Sequence, residues 1–136
     1  MIEFFVKGKP VGKGRPRFTR TGHTYTPEKT RAYEEAVAWE CRKAMKGEEP
    51  SSLPQNVSVE VMVKPPKSWT KTKTKNALGG FITPGRPDID NYLKAVLDGC
   101  NGIAFLDDSQ VVAVYATKRY AETDGVRVII EEKTYG

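Results

Sequence analysis

The sequence predicts an α+β domain in which two helices pack on a small mixed sheet, in the order β-α-β-α-β-β. Three observations carry that expectation. A stretch of helical periodicity opens near Thr26, valines alternate strictly at 57, 59, 61 and 63, and a second amphipathic stretch at 89–100 leads into two further apolar runs. A length of 136 residues suits one domain, 1–136, with one modest core. A core of that size gains from apolar surface shared with a second subunit, so a dimer would not be surprising.

Ile2 to Val6 is a short apolar run that reads as a strand, and Gly8 to Tyr25, rich in Gly, Pro and Arg, reads as loop. In Thr26-Pro27-Glu28 the Thr can cap a helix, Pro suits its first position and Glu favours its positive end. Tyr33, Val37, Cys41, Ala44 and Met45 then recur at helical spacing until Gly47. Asn56 to Val63 is a strand with one buried face, ended by Pro65-Pro66. Lys67 to Pro87 has no usable periodicity and reads as a long loop, a feature that in compact domains often carries function. The second helix spans about Ile89 to Cys100, with Leu93, Val96, Leu97 and Cys100 on one stripe. Two strands, Gln110 to Tyr120 and Val126 to Glu132, are joined by a turn at Thr123-Asp124-Gly125.

Cys41 and Cys100 are isolated and read as reduced core residues of an intracellular protein. The first residues lack the apolar stretch of a signal peptide. The longest purely apolar run, Val111 to Ala116, is far too short to span a bilayer, which points to a cytoplasmic protein without a membrane partner.

The net charge of +5 matters less than its placement. Residues 7–20 hold Lys7, Lys9, Lys13, Arg15, Arg17 and Arg20 without an acid; residues 61–87 hold Lys64, Lys67, Lys71, Lys73, Lys75 and Arg86, again without an acid. The rest of the chain is net acidic, with ten bases against 17 acids. Such segregation into two loops resembles a phosphate-binding footprint more than a solvating surface. Gly8, Gly12 and Gly14 would let backbone N–H groups approach a phosphate as well. Trp69 and Phe81 flank the second cluster and either stack on unpaired bases or anchor the loop.

Against this basic background stand Asp88, Asp90, Asp107 and Asp108, with Lys94 one turn beyond Asp90. On a continuous helix Asp88 and Asp90 would diverge by about 200°. They converge only if Asp88 precedes the helix, and Pro87 favours that break. Unpaired carboxylates repel one another and repel DNA. A divalent cation removes the objection, because Mg²⁺ takes oxygen from one or two carboxylates and keeps positions for water and phosphate. The chain leaves Asp90 along the helix and must return through 101–107, so the cluster either closes within one chain or is completed by a partner subunit. The plainer readings are a helix cap at Asp88, a surface pair of Asp90 with Lys94, a turn at Asp107-Asp108-Ser109 and a solvated Asp98.

Pro-Asp-Ile-Asp-Asn-x-x-Lys at 87–94, then Leu-Asp-Asp-Ser-Gln-Val at 106–111, resembles the pattern of the RusA family of Holliday junction resolvases. Gly8-Lys9-Pro10 and Lys13-Gly14-Arg15-Pro16-Arg17-Phe18 resemble the N-terminal segment of many members. The resemblance implies a homodimeric endonuclease that cuts four-way DNA junctions symmetrically with Mg²⁺, Mn²⁺ substituting, in recombination and repair. It implies Asp88, Asp90 and Asp108 as essential, metal-holding acids, Asp107 as an auxiliary acid and Lys94 as the catalytic basic residue. Lys9, Lys13, Arg15, Arg17, Arg20, Lys67, Lys71, Lys73, Lys75 and Arg86 would contact DNA. The sequence departs from compact members at Lys67 to Gly85, which is longer. The alternative is a non-catalytic basic nucleic-acid-binding module. A phosphohydrolase of small esters and a nuclease of the P-D…E-x-K type, using Glu131 and Lys133, are weaker fits.

Overall fold

A computed structural model describes residues 1–14, 17–18 and 20–134. Its elements are β1 (Ile2–Lys7), β2 (Arg17–Phe18), β3 (Thr24–Tyr25), α1 (Glu28–Met45), β4 (Gln55–Val63), α2 (Lys71–Leu78), α3 (Ile89–Cys100), β5 (Val111–Tyr120) and β6 (Gly125–Glu132). The α+β class and the mixed sheet expected from sequence are present, but the helices number three among the described residues, not two.

The main sheet has the order β1-β6-β4-β5. β6 runs antiparallel to both β1 and β4, while β4 and β5 are parallel. The alternating valines place β4 at the centre, with Val57, Val59 and Val61 buried beneath α1 and α3. Phe4, Val6, Val126, Val128 and Ile130 complete the sheet side of the core, against Tyr33, Val37 and Cys41 of α1 and Tyr92, Val96 and Cys100 of α3. Burying each such side chain stabilises the fold by about 1.5–3 kcal/mol. Cys41 and Cys100 are free and buried, in keeping with their reading as core residues. At Gly99 a side chain would meet Val37 at 2.7 Å and the Glu34 carbonyl at 2.9 Å, so glycine sets how closely α1 and α3 cross.

Two local expectations need correction, and one expected connection has a topology that the sequence does not show. The cap of α1 is Pro27, with no side-chain cap bond from Thr26; the Pro27 carbonyl accepts from Arg31 N at 3.1 Å. Within the expected 67–87 loop, Thr70 caps α2 by accepting from Lys73 N at 3.1 Å, and the helix docks through buried Ala77. One buried residue in eight leaves no periodicity to detect. Finally, β5 and β6 are joined by the expected turn but do not pair, because β4 lies between them. The connection wraps the end of β4: Ala121 N donates to the Val63 carbonyl at 2.9 Å, and Lys64 N to Asp124 Oδ1 at 2.7 Å.

Within the expected 8–25 loop, β2 and β3 form a two-residue ribbon. No helix among the described residues is long and apolar enough to cross a membrane.

Candidate nucleic-acid and metal site

Asp88 is the N-cap of α3, with extended backbone (φ −68°, ψ 157°). Its carbonyl accepts from Asn91 N at 3.1 Å and Tyr92 N at 3.3 Å, but its carboxylate makes no capping bond. The break ahead of the helix is therefore present, and the side chain is left exposed for another partner. Asp90 lies in the first turn, also exposed, with exposed Lys94 a turn further on and no ion pair recorded between them.

Two carboxylates at the start of one helix, neither engaged in the fold, suit a hard cation that takes few protein oxygens. Larger acidic groupings are absent: no set of three or more acidic, His or Cys side chains among the described residues could hold a metal. The chain path explains this. Residues 101–107 do not fold back along α3. Phe105 is buried, bridges to Ser51 near the start of β4, and leaves Asp107 and Asp108 there. Gln110 Nε2 ties the turn to the carbonyls of Ser51 (2.8 Å) and Leu53 (2.9 Å). β5 then runs back toward Asp88, and the seven steps from Val111 to Lys118 span about 23 Å. The two acidic pairs thus stand at opposite ends of one strand.

The two adjacent acids also differ. Asp107 caps the 3-10 turn Asp108–Gln110, accepting from Ser109 N at 3.3 Å, while Gln110 Oε1 accepts from Asp107 N at 2.8 Å. Hydrogen bonds from the Ser109 side chain, then its backbone, hold the Asp107 carboxyl below its ordinary pKa. Asp108 has no such side-chain bond.

Beside Asp88 opens a cavity of about 800 Å³, lined among the described residues by Lys9, Lys29, Lys64 and Arg86, by Tyr92 and Tyr120, and by no carboxylate. Lys9 and Arg86 are sequence-predicted contacts and Lys64 belongs to the second basic cluster; Lys29 joins them only because α1 faces the same space. Gly12 brings the N-terminal strap onto this wall: a side chain there would meet Pro87 at 2.6 Å, and Lys13 N donates to the Asn91 carbonyl at 2.9 Å. Gly14 N donates to Thr30 Oγ1 at 3.1 Å, so that amide serves the fold rather than a phosphate.

Lys13 itself pairs with Glu34 at 2.6 Å and Asp98 at 3.1 Å. Burial lowers its pKa, but the bonds to Glu34 and Asp98 outweigh that and leave it raised. Its charge is engaged inside the fold, and Asp98 is not the solvated residue expected. Arg20, Lys67, Lys71, Lys73 and Lys75 are exposed, the last three on α2. Lys73 Nζ lies 4.2 Å from the Trp69 ring centroid, and Trp69 packs edge-on against Tyr120 at 5.3 Å. Trp69 therefore anchors α2, while Phe81 remains 85% exposed. Arg15 lies outside the described residues, as does the Arg17 side chain. Glu131 pairs with Asn56 near the start of β4, remote from Asp88.

Sequence reasoning missed Lys118. Its Nζ donates to the carbonyls of Gly85 at 2.9 Å and Pro87 at 3.4 Å. The available signal was a lysine at an inward-facing position of β5, in alternation with buried Tyr120.

An acidic helix start thus stands beside a basic groove that a basic N-terminal strap reaches. Residues 7–131 match the family described as Endodeoxyribonuclease RusA, and the chain belongs to that family of DNA endonucleases. It is also 37% identical over 140 residues to the uncharacterized protein YqaN of Bacillus subtilis (strain 168), covering 96% of each chain.

Proposed function

We propose that this protein is a Mg²⁺-dependent, structure-selective endonuclease that resolves four-way DNA junctions by paired symmetric nicks. It would act as a homodimer of single 1–136 domains in the cytoplasm, serving DNA recombination and repair. The observation that carries the reading is the unengaged pair Asp88 and Asp90 beside a groove lined, among the described residues, by four bases and no acid.

In this reading Lys9, Lys29, Lys64 and Arg86 hold the strand's phosphates, and the exposed lysines of α2 follow a flanking arm. Asp88 and Asp90 would hold the metal, with Asp108 as the third acid; when bound, the ion supplies Lewis-acid stabilisation of the phosphate and a water of lowered pKa. Mn²⁺ has similar oxygen preferences and substitutes. Lys94, exposed one turn from Asp90, offers an ammonium to the charge that develops on the phosphate.

The separation of Asp108 from Asp88 favours a site completed by a second copy. β5 is an edge strand, and Val112 and Val114 on it are 49% and 44% exposed, with Leu106 exposed nearby. A two-fold pairing along β5 reverses the second strand and carries its Asp108 toward the first chain's Asp88. It also supplies two equivalent sites for two matched nicks.

The test is a labelled four-way junction incubated with Mg²⁺ or EDTA, with the cuts mapped. Paired nicks that require the metal are expected; an intact junction under both conditions would leave only the binding-module reading. Mixing Asp90→Asn with Asp108→Asn subunits then checks the sharing. A shared site regains one intact centre per mixed dimer, and single nicks return. If each chain carried its own cluster, mixed dimers would stay inactive.

A further inference from the structure

Lys118 occupies an unusual place. Val114, Ala116, Lys118 and Tyr120 share one parity of β5, and their partners on β4 are Val57, Val59, Val61 and Val63, whose face looks toward the helices. Lys118 is half-buried there and, among the described residues, has no carboxylate within ion-pair distance. A partly desolvated ammonium without a counter-charge is unfavourable, and an apolar side chain of the same length would pack beside Tyr120 without that penalty. What the lysine does instead is donate to the Gly85 and Pro87 carbonyls. Pro87 directly precedes Asp88, whose own carbonyl receives the first amides of α3. The Pro87 ring is itself approached closely by Gly12, where an added side chain would meet it at 2.6 Å. The peptide that presents Asp88 is thus held by both the N-terminal strap and one ammonium on the sheet.

We propose that Lys118 is a positioning residue, fixing the Gly85–Pro87 strap so that Asp88 and Asp90 stand in one defined arrangement at the start of α3. Carboxylates that share a cation must be held to a fraction of an ångström, and groups supporting such ligands typically influence affinity or rate ten- to hundredfold. The kinetic part of the proposal rests on the nuclease reading above; the structural part does not.

The experiment compares the full-length wild type with Lys118→Met and Lys118→Arg. Without metal or DNA, amide exchange at Asn91 and Tyr92 should quicken in Lys118→Met and return toward wild type in Lys118→Arg, which can still reach two carbonyls. On a four-way junction with Mg²⁺, kcat should fall about ten- to hundredfold in Lys118→Met. KM, and junction affinity in EDTA, should stay within about threefold, as expected for one lost charge among many. Unchanged exchange in a folded Lys118→Met would overturn the proposal, as would quicker exchange with an unchanged kcat. If Lys118→Met does not fold, Lys118→Gln, which keeps a donor too short to span the gap, takes its place. Misfolding of both variants would also overturn it, making Lys118 a general member of the sheet. A wild type that cuts no junction would defeat the nuclease reading, and the exchange data would still decide whether Lys118 holds the strap.

Discussion

The two ends of β5 treat their carboxylates differently. Near Lys118, Asp88 and Asp90 make no side-chain bond within the fold, and the basic groove opens beside them. Near Val111, Asp107 is engaged by Ser109 in a capping box, and only its neighbour Asp108 is left over. Adjacent acids in a sequence therefore need not share a role: a turn uses one and presents the other. A carboxylate without a fold partner is a candidate ligand, whereas one that closes a turn has a complete local explanation.

That contrast is most sharply tested at the free acids. Asp90→Asn is expected to lower junction cleavage by roughly a thousandfold, about 4 kcal/mol of barrier. Binding should stay equal or tighten, since a charge facing phosphate is removed. Loss of binding along with activity would give Asp90 a structural role. Asp108→Asn should be comparably severe, and Asp107→Asn should lower the rate only a few-fold.

The engaged base should behave in the opposite way from the free acids. Lys13→Met leaves Glu34 and Asp98 facing each other and should reduce stability by about 2 kcal/mol, read by denaturant melts. Because the folded pKa of Lys13 lies above its usual 10.5, its contribution should be complete below that pH and disappear as the pH rises through the folded value. A variant as stable as wild type at pH 7 would show that the pair is idle.

A smaller effect is expected from the exposed lysines. Replacing Lys71, Lys73 and Lys75 together by Gln should weaken junction binding about tenfold and flatten the slope of log K against log salt by up to about 2.7. An unaltered slope would remove α2 from the interface.

The smallest concerns the turn. Asp107 has a depressed folded pKa, so the stabilisation from its capping bonds should be present above its usual 3.8 and fade as the pH falls through the lower folded value. The difference in Tm between wild type and Asp107→Asn should be slight at neutral pH and vanish in strong acid; a difference that grew there would contradict the capping role.

Much of this was legible in the residues. The valines of β4 and the stripes of α1 and α3 repeat often enough to mark buried faces. Pro87 announced the break that frees Asp88. α2 was not legible, because its lysines and threonines follow no apolar period and it docks through Ala77. Nor was the insertion of β4 between β5 and β6, since a turn signal describes only the residues it contains. Lys13 looked like its basic neighbours; only the distant Glu34 and Asp98 set it apart. The spacing of the acids likewise allowed an intrachain cluster, and the burial of Phe105 is what directs 101–107 elsewhere.

The place of β6 between β1 and β4 has a consequence for biosynthesis. On the ribosome, Ile2–Lys7 emerges long before Gly125–Glu132, the strand it joins, has been made. The basic strap at 8–14 is tethered to that waiting strand, so it can settle against Pro87 only after nearly all of the matched region has been translated. A nascent chain stalled before residue 125 would carry the lysines and the aspartates without bringing them together, which delays any cutting activity until synthesis of the sheet is complete.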